Sequence, residues 1–107
     1  MRPAAQVLPF RLNDETLRRQ IAELAQVSAN VFITTHAARR MKKRGILRTQ
    51  VHAVLTRGRV VEPAHQDIHG CWKCTLRATI AGDDIKVAVA LGEDKYKNKV
   101  VVITVMN

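Results

Sequence analysis

The chain is poor in cysteine (two), in aromatic residues (one tryptophan, one tyrosine, two phenylalanines) and in acids, which number 9 against 18 lysines and arginines. Each shortage excludes something. Four aromatics leave little material for a base-stacking platform, which needs exposed rings in succession along a sheet. No apolar run approaches the roughly 18 residues of a membrane-spanning helix. Met1 to Phe10 holds one arginine and two prolines but no apolar stretch of the signal-peptide kind. With two cysteines and no export signal, the expected compartment is a reducing cytoplasm. There is no internal repeat, no low-complexity tract and no glycine-rich phosphate loop.

What remains is a basic chain of 107 residues, 47% apolar, with a formal net charge of +9. That length supports one compact core, so residues 1–107 are expected to form a single domain, with 1–12 as a loose N-terminal arm. The charge favours a polyanionic partner, RNA above all, or an acidic protein partner. Membrane-surface binding is disfavoured, because the most basic helix offers only two alanines and a methionine as its apolar face.

Periodicity predicts α+β architecture. A helix is expected from about Asp14 to Gln26, capped by Asn13 or Asp14, with Leu17, Ile21, Leu24 and Ala25 as its core stripe and Arg18 and Arg19 outward. Val31 to Thr34 reads as a strand that feeds a basic helix, and a further helix from about Thr49 to Arg57 packs through Val51, Val54 and Leu55. From Arg59 the period becomes two. Val60 to Glu62 reads as a brief edge strand interrupted by Pro63. In Cys71 to Ile80, Trp72, Cys74, Leu76, Ala78 and Ile80 share one face and Lys73, Thr75, Arg77 and Thr79 the other. Ala81-Gly82-Asp83-Asp84 is turn chemistry, which returns the chain as Ile85 to Leu91. A charged loop through Asp94 to Lys97 precedes Val100 to Val105, apolar on both faces and so expected inside the sheet. The result is an antiparallel sheet of about four strands with helices packed on one side. Trp72, Cys74, Leu76, Ile85, Val87, Val89, Val101, Ile103 and Val105 are expected under the helices.

The stretch Thr35 to Gly45 places His36 and five cations (Arg39, Arg40, Lys42, Lys43, Arg44) on one short helix that ends in glycine. At 100° per residue, His36, Arg40 and Arg44 fall within an arc of about 80°, with Lys43 beside it, while Ala37, Ala38 and Met41 form the inward stripe. Guanidinium forks can grip phosphate oxygens and an imidazole can move a proton near neutral pH. The plainer alternative is a solvated cationic face, with Arg44 paired to a carboxylate such as Glu62. Arg39, Lys43, Lys73 and Arg77 are candidate RNA contacts.

A competing constellation is His65-x-x-x-His69-x-Cys71-x-x-Cys74, whose donors suit zinc. Strand alternation sends Cys71 and Cys74 to opposite faces, whereas a zinc knuckle needs a turn and a redox Cys-x-x-Cys needs a helix N-terminus. No metal and no cofactor are therefore expected, and Cys74 reads as a small core residue beside Trp72 and Leu76.

His36-Ala37, Arg40-Met41, Arg44-Gly45-Ile46, Val54-Leu55, Gly58 and Val102-Ile103-Thr104-Val105 together resemble a widespread small bacterial family of unknown function. Its pattern is a strand, a His-Ala-x-x-Arg-Met-x-x-Arg-Gly-Ile helix and a closing strand that ends in Ile-Thr-Val. The resemblance covers about Val31 to Asn107. It implies a fold of the RelE-like and barnase-like ribonuclease group, many of whose members are toxins of toxin–antitoxin modules or of secreted polymorphic systems, and so an acidic antitoxin or inhibitor protein as an expected partner. Carried over, it implies catalytic positions at His36, Arg40, Arg44 and Thr104. The sequence departs from many relatives at Arg48, where a capping serine is common, and in the Trp72-Lys73-Cys74 strand. The expected function is a metal-independent endoribonuclease, with Glu62 as a second proton-transfer group if the sheet brings it near. The alternative is a non-catalytic RNA-binding module or one that docks on an acidic protein.

Overall fold

The computed structural model describes residues 13–66, 68, 70–92 and 99–107. The expected N-terminal arm, His69 and the loop through Asp94 to Lys97 lie outside these residues. The element order is α1 (Asp14–Ala25), a 3₁₀ turn (Ser28–Asn30), β1 (Val31–Ile33), α2 (Thr35–Arg44), α3 (Arg48–Arg57), β2 (Arg59–Gln66), β3 (Trp72–Ile80), β4 (Asp83–Leu91) and β5 (Val100–Met106). The strands form one five-stranded sheet in the order β1-β5-β4-β3-β2. β1 is parallel to β5 and the other pairings are antiparallel, so β5 lies inside the sheet as its two apolar faces require.

Local chemistry accounts for the helix ends. Asn13 accepts a hydrogen bond from the Thr16 N–H at 2.8 Å, and Asp14 and Glu15 occupy the first turn of α1, where the dipole favours acids. α2 begins on Thr34, whose hydroxyl oxygen accepts from the Ala37 N–H at 3.1 Å. It stops at Gly45, left-handed at φ 69°, while Ile46 N–H bonds back to the Met41 carbonyl at 2.9 Å. At the start of α3, where a capping serine is missing, the Gln50 side chain accepts from the Leu47 N–H at 2.8 Å and Arg48 reaches back to the Val31 carbonyl.

The core lies between one face of the sheet and the three helices. Leu17 and Ile21 of α1, Ala37 and Met41 of α2, and Val51, Val54 and Leu55 of α3 bury against Cys74, Leu76, Ile85, Val87, Val89, Val100, Val102 and Val105. Full burial of one such side chain stabilises by about 1.5–3 kcal/mol. Trp72, Ala78 and Ile80 are only partly buried at the margin of this cluster, so the tryptophan edges the core and Leu76 fills its centre.

The α+β fold with helices on one side of the sheet is as expected, and pairing of β1 with β5 through residues 31–33 and 100–102 brings the sheet to five strands. Three expectations need correction. β2 runs through Pro63 to Gln66, which an edge strand tolerates: two register shifts, between Val60 and Glu62 and between Glu62 and His65, absorb the missing donor. Asp14 of α1 also takes the Ala64 N–H at 2.7 Å, covering part of that edge. Ala38 is exposed, so the inward stripe of α2 is Ala37 and Met41 alone. Finally, Val100 and Val102 are buried and Val101 and Ile103 are half-buried, the reverse of the expected alternation. A bulge causes this. Val89 pairs with Val102 and Ala88 with Thr104, so Ile103 is an extra residue and the side-chain parity changes before Val105.

Candidate functional site

The register defines what the face turned away from the helices carries. Because directly opposed residues share a face, Glu62, Thr75, Ala88 and Thr104 form one row across β2, β3, β4 and β5. Arg59, Arg77, Lys86 and Met106 form the next row on one side, and His65, Lys73, Ala90 and Val101 the next on the other. Rows on one face repeat every two residues, about 6.8 Å along a strand.

His36 stands at the rim of this face. β1 ends at Ile33, so the outer edge of β5 beyond Val102 has no strand beside it, and α2 begins there instead. Thr34 makes the connection: its hydroxyl donates to the Val102 carbonyl at 2.9 Å while capping the helix. Two residues on, His36 Nε2 lies 3.2 Å from Thr104 Oγ1. One turn further, Arg40 Nε donates to the Val105 carbonyl at 3.4 Å. This satisfies an edge carbonyl that a neighbouring strand would otherwise take, and it anchors the guanidinium through Nε. The Ile103 bulge matters here too, because it turns Thr104 toward the row that His36 meets while Val105 enters the core.

Three of the four catalytic candidates, His36, Arg40 and Thr104, therefore meet at one edge of the sheet. Arg44 is on the same helix, exposed, with no hydrogen bond or ion pair to the described residues. It does not pair with Glu62, whose carboxylate instead accepts a hydrogen bond of 2.5 Å from the Thr75 hydroxyl. Nor does Glu62 join His36, because Thr75 and Ala88 separate it from Thr104 by three strand spacings, about 14 Å between backbones. Arg39 and Lys43 lie exposed on the outer side of α2. Lys73 and Arg77 do share the far face, but Arg77 is clamped in both arms by Asp84, at 2.7 and 2.6 Å. That pairing holds the Asp84 carboxyl below its ordinary range, helped by Lys86 and Arg59.

The histidine–cysteine constellation has a different outcome. Cys74 is 2% exposed, paired in register with Val89 under the helices. Burial, with the Asp14 charge second, pushes its thiol up to about 12, so the free group stays protonated. Cys71 precedes β3 and is half-buried.

Sequence reasoning missed two things. Thr34 joins α2 to β5, and its signal was present: a threonine three residues before an inward alanine at a helix start. The cation row Arg59, Arg77 and Lys86 had no local signal, because it exists only through strand register.

Residues 33–107, more than half of the chain, match the family described as Domain of unknown function (DUF4258), and the chain belongs to that family. The helix α1 precedes the matched segment, whereas β2 to β5, α2 and α3 fall within it. No curated protein matches.

Proposed function

We propose that this DUF4258 protein is a small, toxin-like, metal-independent endoribonuclease acting at the junction of α2 and β5. In this chemistry the 2′-hydroxyl oxygen of the substrate attacks the adjacent phosphorus and the bond to the 5′-oxygen breaks. The products are a 2′,3′-cyclic phosphate and a 5′-hydroxyl end. One proton leaves the 2′-hydroxyl and one reaches the departing oxygen, so the protein has to supply proton transfer and charge stabilisation. When His36 Nε2–H donates to Thr104 Oγ1, the Nδ1 lone pair is the base. Once Nδ1 has taken the 2′-hydroxyl proton, the ring is an imidazolium that keeps Nε2–H on Thr104, and its Nδ1–H is the acid that protonates the departing 5′-oxygen. Thr104 is thus a positioning residue for the imidazole. The terminal nitrogens of Arg40, steadied through the Val105 carbonyl, bind the phosphoryl oxygens as charge builds on them, and Arg44 and Lys43 extend the cationic surface toward the incoming RNA.

The observation that supports this reading best is the link of 3.2 Å between His36 and Thr104, beside Arg40. A basic face needs no imidazole to attract RNA, and it needs still less a hydroxyl to orient one. A second reading, a non-catalytic RNA-binding module, draws on the roughly 14 Å between Glu62 and Thr104, which takes Glu62 out of reach as a proton-transfer partner for His36. In both readings an acidic protein that covered α2 would act as an inhibitor.

The deciding experiment is incubation of the purified protein with total RNA, with and without chelator, beside a His36→Ala variant. Cleavage should survive the chelator and fall by about 10²–10⁴ in the variant, with most RNA binding retained. Undiminished cleavage by folded His36→Ala refutes the catalytic assignment, and a wild type that binds but never cuts replaces it with the binding-module reading.

A further inference from the structure

A second cationic feature lies on the far face of the sheet, away from His36. Arg59 is directly opposite Arg77, and Arg77 directly opposite Lys86, so three cations stand in one row across three neighbouring strands. Like charges facing each other across a ladder are destabilising. Among the described residues, Asp84 is the only acid bound within this row, and its carboxylate is spent on Arg77. The next acid along, Asp83, is engaged elsewhere, accepting from Gln50 at 3.0 Å.

The row opens onto a cleft. β3 continues through Ala78 and Thr79 past the start of β2 at Arg59, because the chain turns away there into α3. The space left beside β3 measures about 280 Å³ and is lined by Arg57, Arg59, Arg77, Ala78 and Thr79. Arg57 ends α3 and Arg59 begins β2, with Gly58 between them holding the turn tight against Val54 and Leu76. Two arginines on a rigid corner thus face a third whose orientation Asp84 fixes. Arg57 and Arg59 bring guanidinium forks whose paired N–H donors match phosphate oxygens, and Arg77, with Nε and Nη2 held by Asp84, adds its remaining terminal nitrogen in a fixed orientation.

We infer that the cleft formed by Arg57, Arg59 and Arg77 is a phosphate-binding site distinct from the His36 edge. A bound phosphate offsets the like-charge row and fills a space that only donors and small side chains line. The phosphate can come from the backbone of an RNA that crosses the far face, which rests on the RNA reading above, or from a small phosphomonoester, which does not. Because Thr104 and the cation row occupy adjacent rows on one face, one strand of RNA can reach both places.

Two arms separate the sources. In the first, the full chain binds a single-stranded RNA oligomer over a range of salt, as wild type, as the Arg57→Ala/Arg59→Ala double variant, and as Arg19→Ala, an exposed control on α1. Loss of one phosphate contact should lower the slope of log affinity against log salt by about 0.7. It should also weaken binding by about tenfold or more, while the control stays near wild type. In the second arm, inorganic phosphate is titrated while the backbone amides of Ala78 and Thr79 are followed by NMR, with saturable shifts expected in wild type and none in the double variant. Removing like charges opposite Arg77 relieves repulsion, so the variant should fold, which its urea midpoint confirms. An effect in the RNA arm assigns the backbone phosphate, and an effect in the phosphate arm alone assigns a small ligand. If the double variant matches the control with RNA and wild type shows no saturable phosphate shifts, the site does not exist. None of these outcomes depends on whether His36 cuts RNA.

Discussion

Replacement of Thr104 by valine isolates the contact on which the catalytic reading depends. Valine is nearly the same shape and suits a strand, so Thr104→Val removes the hydroxyl at 3.2 Å from His36 Nε2 and little else. Thr104 is half-buried, and its hydroxyl lies clear of the core cluster, so the urea midpoint should fall only by what that one hydrogen bond contributes. A neutral hydrogen bond contributes about 0.5–1.5 kcal/mol, and a tenfold rate change corresponds to about 1.4 kcal/mol, so cleavage should slow by about 2- to 13-fold. His36→Ala alone should cost about 10²–10⁴. Because Thr104 acts only through the imidazole, Thr104→Val should cost nothing further once His36 is alanine. The two effects should therefore be non-additive by the full 2- to 13-fold. Single-turnover cleavage of a labelled RNA with chelator present measures this without interference from product release. If Thr104→Val slows cleavage by the same factor in both backgrounds, Thr104 does not position His36. If it has no effect in either, the contact has no part in the chemistry.

Further expectations concern the scaffold and its titration. A Cβ at Gly58 would lie 2.5 Å from the Val54 carbonyl oxygen and 3.2 Å from Leu76 Cβ, so Gly58→Ala has to displace backbone. A loss of about 1–3 kcal/mol is expected in urea unfolding, and an unchanged midpoint would show that the α3 corner is pliable. His52 of α3 has a buried Nε2 without a hydrogen-bond partner among the described residues, and desolvation, then the Arg48 charge, lowers its pKa below 6.5 against an opposing hydrogen bond to the Ala25 backbone. The unfolded chain therefore takes up the extra proton below about pH 6.5. Stability should fall as pH drops from there toward the folded value, and His52→Leu should remove that part of the fall; equal pH dependence in the two proteins would refute it. With its thiol near 12, Cys74 should resist alkylation in the native protein at pH 8 and react only on unfolding, whereas Cys71 reacts first. Mass spectrometry of timed digests reads both, and prompt native labelling at Cys74 would contradict its burial.

Much of the molecule was legible because its signals are local. The stripe Leu17, Ile21 and Ala25 anticipates α1, and Gly45 marks the end of α2. The two-residue turn at Ala81 and Gly82, both with positive φ, matches the hairpin its sequence suggests. The two misreadings within strands share one cause. Period-two reasoning assumes an unbroken ladder, so it placed Val101 and Ile103 in the core and stopped β2 at Pro63. Bulges in β5 and β2 shift the parity and carry the strand onward, and neither has a signature in the local sequence.

The sequence by itself determined the net charge of +9, the α+β alternation and the gathering of His36, Arg40 and Arg44 on one helix, because these follow from residue counts and from periods of 3.6 and 2 along the chain. Tertiary structure alone decided what those side chains meet. His36 and Thr104 are 68 residues apart, and they touch because β1 ends early, Thr34 ties α2 to β5, and the Ile103 bulge turns the threonine toward the histidine. The same applies to Arg59, Arg77 and Lys86, and to the Glu62 carboxylate held three strands from Thr104. Side-chain direction within an element is set by local backbone geometry, whereas proximity between elements is set by register, which depends on burial of the whole face at once.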